Sequence, residues 1–299
     1  MILLKSEGFE LGLAPELGGS VTHFRHNGRD LLRPTAGDRP TDAAAFPMVP
    51  FSGRIADGQF VWQGRRVQLD PNFLPETHAI HGHGWTGSWQ TVSVSTHHAV
   101  LSYAHAPDSW PWAYRAEQSF LLGPDGLVLT LSVTNLSSET MPAGIGWHPY
   151  FSARGAQIEA DTALIWDMDE NKIPTSSRTP TGSEQLRRAQ EVEGLGLDTP
   201  FETDGGPVTL RWPAEGISLR MLTDDPLRFL VVYTPSGKGY FCAEPVSHVP
   251  NMVNMSAPAR ETGLVSLASG ETLSGQIKLE LAPVATGAAA RTAARAPAP

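Results

Sequence analysis

The chain has a single cysteine, Cys242, in 299 residues. That excludes an internal disulfide and a thiolate-built zinc site. Positive charge is also scarce: 22 Lys and Arg against 31 Asp and Glu give a formal net charge of −9. Such a balance argues against nucleic acid or an anionic membrane surface as partner, and it weighs against a heavily phosphorylated substrate. Long apolar runs are missing. Met1-Ile-Leu-Leu-Lys5 is too short for a signal peptide, and no later stretch approaches a membrane span. There is no Ser–His–Asp arrangement, phosphate-cradling glycine loop or dinucleotide fingerprint. Nor is there the matched carboxylate pair of most glycosidases. The expectation is a cytoplasmic protein, monomer or homodimer, with a small molecule as its partner.

No window sustains a 3.6-residue apolar period, whereas short alternation recurs. Leu127, Leu129, Leu131 and Val133 alternate with Val128, Thr130, Ser132 and Thr134. Tyr114–Leu122, Val100–His105, Val208–Trp212 and Gln276–Leu281 behave similarly. Strands of this length between Gly- and Pro-rich turns predict an antiparallel all-β sandwich or barrel. The first forty residues read as two hairpins with Gly-Gly and Asn-Gly turns, and carry no evident chemistry. No linker or repeat divides the chain, so residues 1–285 form one expected domain. The low-complexity tail, 286–299, is expected to be disordered.

The stretch Tyr240-Phe241-Cys242-Ala243-Glu244-Pro245 organises the rest. Phe229–Thr234 and the turn Pro235-Ser-Gly-Lys-Gly239 precede it, so the two apolar runs form a hairpin. The second run delivers one carboxylate and then stops at a proline. Among Phe, Cys, Ala and Pro, Glu244 is partly desolvated, which raises its pKa and suits a base; a strand-end Glu facing water is the even alternative. His148, in Gly146-Trp-His-Pro-Tyr-Phe151, is either a satisfied core histidine or an acid at a strand end facing a cavity. Arg54, among apolar neighbours, either pairs with a carboxylate or turns its fork of donors to a polar ligand. His78-Ala-Ile-His81-Gly-His83-Gly-Trp85 is the densest histidine cluster. On a strand, His81 and His83 would share a face as a cupin-like metal site does, but no Glu follows at the needed spacing, so no metal is expected. Asp198, in Leu197-Asp-Thr-Pro-Phe201 at the end of a long polar excursion from Asp161, reads as a turn residue.

Pro50-Phe-Ser-Gly-Arg-Ile55, Ile80-His-Gly-His-Gly-Trp85, Trp147-His-Pro-Tyr-Phe151, Leu197-Asp-Thr-Pro-Phe201 and Cys242-Ala-Glu-Pro-Val246 occur together and in this order. Together they resemble the aldose 1-epimerase (galactose mutarotase) family, in a His-Gly-His-Gly-Trp branch, from about Phe9 to Leu281. The resemblance implies a β-supersandwich, mostly antiparallel, and interconversion of α and β anomers of a free sugar without a cofactor. It makes Glu244 the base and His148 the acid. Arg54 and His81 would hold ring hydroxyls, and Asp198 two hydroxyls on the far side of the sugar. Trp85 and Trp147 would form a flat apolar wall, and residues 148 and 244 would meet across a pyranose-sized hollow. Gly53 stands where many members have Asn, and Thr199 where His is common. Other readings are a hexose-6-phosphate epimerase, which needs a further basic residue such as Lys238 or Arg25, a non-catalytic sugar-binding protein, and a metal-dependent cupin-like enzyme.

Overall fold

The computed structural model describes residues 1–283, so the tail expected over 286–299 lies outside the described residues. Two large antiparallel sheets carry the fold. The larger has eleven strands. Its path begins with a meander, Ile2–Ser6, Phe9–Ala14 and Ser20–His26, and continues through Ala45–Met48, Gly146–Ser152 and Tyr240–Val246. It ends in Phe229–Tyr233, Asp198–Thr203, Thr162–Met168 and Pro174–Arg178. The second sheet has nine strands, with Tyr114–Gly123, Gly126–Asn135 and Thr272–Leu281 at its centre. The only α-helix among the described residues is the four-residue segment Ala259–Thr262. No helix there is long and apolar enough to cross a membrane.

Alternation in the sequence becomes alternation across each sheet. Leu127, Leu129, Leu131 and Val133 are fully buried, while Val128, Thr130, Ser132 and Thr134 are only partly so. One core joins these leucines to Trp147, Phe151, Phe201, Val232 and Phe241 of the larger sheet, so the two sheets pack face to face. A satellite cluster lies on the other face of the larger sheet and includes Phe46, Tyr150, Cys242 and Val246. Gly146–Ser152 therefore divides its side chains by parity: Trp147 and Phe151 go to the core, and Tyr150 to the satellite cluster.

Three local expectations change. The first residues form three hairpins, because Glu7-Gly8 also turns, with both residues at positive φ. The polar excursion after Asp161 contains Thr162–Met168 and Pro174–Arg178, strands that extend the larger sheet. The Glu244 strand does not stop at its proline: it runs through Pro245 to Val246.

Candidate active site

Antiparallel pairing aligns the two central strands so that Gly146 faces Val246 and Tyr150 faces Cys242. The same register puts His148 opposite Glu244, with both side chains on the face away from the main core. Their contact is direct: His148 Nε2 lies 3.2 Å from Glu244 Oε1, and both side chains are less than a tenth exposed. The two groups stand side by side on the floor of a cavity of about 450 Å³, not on opposite walls of it.

Burial controls both groups. It pushes Glu244 well above the usual carboxylate range; Asp198 adds to that rise and Arg54 opposes it. Burial likewise pulls His148 down to about 3. A buried acid and a buried base in contact resolve this by sharing one proton, with the uncharged arrangement favoured while both are desolvated. His148 Nδ1 is buried without a hydrogen-bond partner.

The walls come from segments braced against one another. Arg54–Ile55 pairs with Ala79–Ile80. At His81 the chain leaves the strand: φ is +58°, and the next residue, Gly82, has φ +68°. Gly53 N–H donates to His81 Nδ1 at 3.1 Å. That fixes the proton of neutral His81 on Nε2, and burial keeps the ring neutral, well below its ordinary pKa. Gly53, at φ +64°, has no room for a Cβ, which would sit 2.6 Å from Pro250. The departure from Asn at this position thus comes with a backbone contact to His81. Asn72 clamps the turn, donating to Ile80 and Gly82 carbonyls and accepting from Ile80 N–H. Trp85, almost wholly buried, lines the cavity and donates its indole N–H to the same two carbonyls.

Arg54 pairs with a carboxylate and also faces the cavity, its Nε donating to Glu76 at 2.8 Å. Burial alone would raise Glu76, but the Arg54 hydrogen bond and charge outweigh it and hold the carboxyl below its ordinary value. Asp198 opens the strand Asp198–Thr203 and is no turn residue; it meets Lys172 Nζ at 3.3 Å. Thr199 lines the cavity beside it and donates its hydroxyl to the Trp166 carbonyl.

One sequence expectation fails. Trp147 lies in the core between the sheets, wholly buried, on the opposite parity from His148, so it forms no wall of the cavity. His81 and His83 do not share a strand face. His83 turns from the cavity to stack on His105, ring centroids 4.5 Å apart, and burial lowers it to about 4. Of the two basic residues considered, Lys238 lines the cavity, whereas Arg25 pairs with Asp30 elsewhere. Sequence reading missed Glu76, Tyr150, Tyr240 and Arg33. Only Tyr150 carried a signal, standing at i+2 from His148 on a strand.

Among the described residues, two groups have donor atoms close enough for a metal ion: His148, Cys242 and Glu244, and separately His83, His105 and Asp108. In the first, burial raises the Cys242 thiol far above its ordinary value. An ion there would have to displace the thiol proton as well as the shared one.

A family model for aldose 1-epimerase matches residues 2–280. The uncharacterised protein YphB of Escherichia coli K12 is 36% identical over 275 residues, covering 88% of this chain and 93% of that protein. A crystal structure from the same organism, provisionally described as an aldose 1-epimerase, superposes with a TM-score of 0.86 at 31% identity, covering 94% and 98% of the two chains. A galactose mutarotase-like protein of Clostridium acetobutylicum shares the fold at 21% identity, with a TM-score of 0.83 and coverage of 94% and 95%. The chain belongs to the aldose 1-epimerase family.

Proposed function

We propose that the protein interconverts the α and β anomers of a reducing aldose, with Glu244 and His148 as the proton-transferring pair. The observation that carries this reading is their buried 3.2 Å contact on the floor of a cavity of about 450 Å³, a size suited to a small polyhydroxyl ligand. The active arrangement is the charged tautomer, carboxylate and imidazolium, reached by passing the shared proton across that contact. Glu244 takes the proton of the anomeric hydroxyl while His148 gives one to the ring oxygen. The C1–O5 bond breaks as C1=O1 forms. Rotation about C1–C2 presents the other carbonyl face, and the reverse transfers reclose the ring. The pair ends with the proton it began with, so no cofactor enters the balance.

His81 Nε2–H, the Arg54 guanidinium and the Asp198 carboxylate supply donors and an acceptor for ring hydroxyls. Trp85 and Phe46 offer apolar surface for the sugar's C–H face. Exchange spectroscopy between the anomeric NMR signals of equilibrated aldoses tests the reading. The wild type should accelerate exchange, and Glu244→Gln and His148→Asn should each lose roughly 10²–10⁴-fold. Acceleration retained in both variants would remove this pair as the catalysts. Sugar binding by calorimetry with no rate effect would select a non-catalytic binding protein.

A further inference from the structure

We infer that the aldose carries an anionic group on its exocyclic carbon, and that Arg33 anchors it; this rests on the anomerisation reading above. Around the cavity, cations are matched to carboxylates with two exceptions. Arg39 pairs with Asp42, Arg54 with Glu76, and Lys172 with Asp198. Arg33 and Lys238 also line the cavity, and among the described residues neither forms an ion pair. Asp42, near enough to Arg33 for that charge to help lower its pKa, has both carboxylate oxygens taken by Arg39. Arg33 is partly buried: one Nη donates to the carbonyls of Thr41 and Ala43, while its buried Nε has no acceptor. The guanidinium lies over the Tyr150 ring at 3.9 Å and the Tyr240 ring at 4.7 Å. A half-buried guanidinium supported by ring faces and neutral carbonyls, with donors left over, is short of an anion. Glu244 does not supply one, because its carboxyl is engaged with His148 at 3.2 Å and forms no ion pair with Arg33. A protein of net charge −9 thus gathers unmatched positive charge at one cavity.

Sheet order gives the anchor its place on the sugar. From Ala45–Met48 the strands run to the His148 strand, the Glu244 strand, Phe229–Tyr233 and finally Asp198–Thr203. Arg33 leans to the His148 side: its backbone N–H donates to the Tyr150 carbonyl at 2.8 Å. Its guanidinium lies closest to the Tyr150 ring, which stacks on His148 at 4.7 Å, while it also reaches the Tyr240 ring on the Glu244 strand. Asp198 lies beyond Glu244 on the other side. In an aldopyranose the order is O1, C1, ring oxygen, C5, exocyclic carbon. With O1 at Glu244 and the ring oxygen at His148, the exocyclic carbon falls beyond His148, toward Arg33. Lys238, in the loop joining Phe229–Tyr233 to Tyr240–Val246, stands exposed at the mouth and offers a second cation to a longer group.

Anomer exchange measured on a neutral hexose, the matching hexuronate and the matching hexose 6-phosphate tests this. In the wild type at least one charged sugar should exceed the neutral one in kcat/KM by roughly ten- to a hundredfold. A hexuronate preference places the charge within reach of Arg33 alone, and a 6-phosphate preference adds Lys238. Arg33→Gln should collapse the charged-to-neutral ratio toward one, chiefly through KM, and Arg33→Lys should restore part of it. If Arg33→Gln does not fold, Lys238→Gln and the salt dependence of KM for the charged sugars give the same ratio test. A wild-type ratio at or below one overturns the anionic substrate while leaving anomerisation standing. If no aldose is accelerated, the anomerisation reading falls instead. The anion site is then judged by calorimetry: charged sugar bound more tightly by wild type than by Arg33→Gln supports it, and equal binding removes it.

Discussion

His148 and Glu244 are 96 positions apart in the sequence (244 − 148) and lie opposite each other on neighbouring antiparallel strands, Nε2 to Oε1, at 3.2 Å. The pairing is local in the sheet, so its geometry is held by the ladder on either side and by the core beneath. Strand neighbours stand roughly 4.8 Å apart, which is why two short side chains from one face reach each other without a loop rearrangement.

This contact sets a pH profile. The pair works while it holds one proton. Burial pulls His148 down to about 3 and pushes Glu244 up, so a second proton is hard to add and the first is hard to remove. Activity should hold at pH 5 to 6, below the ordinary histidine pKa of 6.5, and fall on the alkaline side as the shared proton leaves. The measured values belong to the pair. An activity that drops acid-side with a midpoint near 6.5 would contradict the shared proton.

The alkaline limb should move in opposite directions in two variants. Asp198 raises Glu244 and Arg54 lowers it. Asp198→Asn should therefore shift that limb to lower pH, and Arg54→Met to higher pH, each with a raised KM. Shifts of the same sign in both would break the electrostatic account. Glu76→Gln, which weakens the hold on Arg54 without removing the guanidinium, should give a milder KM rise than Arg54→Met.

Trp147 and Trp85 should separate stability from binding. Trp147 is wholly buried in the core, so Trp147→Phe should cost about 1–3 kcal/mol and leave KM near wild type. Trp85 lines the cavity, so Trp85→Phe should raise KM and also loosen the His81 turn by removing the indole donor. Denaturant unfolding alongside KM checks both.

Gly82 has no tolerance for a side chain. Its φ is +68°, and a Cβ would sit 2.1 Å from the Val49 carbonyl oxygen. Gly82→Ala should cost roughly 1–3 kcal/mol or more, and should lower kcat/KM because the His81 turn must shift. Unchanged kinetics would show that this turn does not position His81.

Acid should unfold the protein early. Burial holds His81 well below its ordinary pKa, and His83 and His248 at about 4. His248 is fixed neutral, accepting from Ser52 N–H at 3.0 Å. Its other ring nitrogen, Nδ1, lies 2.8 Å from the Val249 carbonyl, to which its proton is donated. In the unfolded chain these rings bind protons from about pH 6.5 downward, so the unfolded state gains protons first and stability falls as pH drops toward 4. Glu244 works the other way: the folded state keeps its proton above 4.5, so its contribution is lost as pH rises. With several histidines against one carboxyl, Tm should decline between pH 6.5 and 4. A flat or rising Tm would contradict neutral burial of the rings.

The residue order alone settled the all-β class, because period-two alternation such as Leu127 to Val133 admits few other structures. It also singled out Glu244 and His148 by their apolar neighbours, each with a bland alternative left open, and the run of motifs joined them as a pair. Parity was within reach too: Trp147 and His148 are adjacent in a strand and had to face opposite ways, so the core position of Trp147 was legible in principle. Tertiary structure decided what sits beside what across long separations. Glu76 against Arg54, Lys172 against Asp198 and Arg33 over Tyr150 depend on loops whose paths no local pattern encodes. The net charge of −9 pointed away from an anionic ligand, since a sum over the chain carries no position. Folding gathers the unmatched cations into one hollow, and the field that a substrate meets is set by those neighbours at close range.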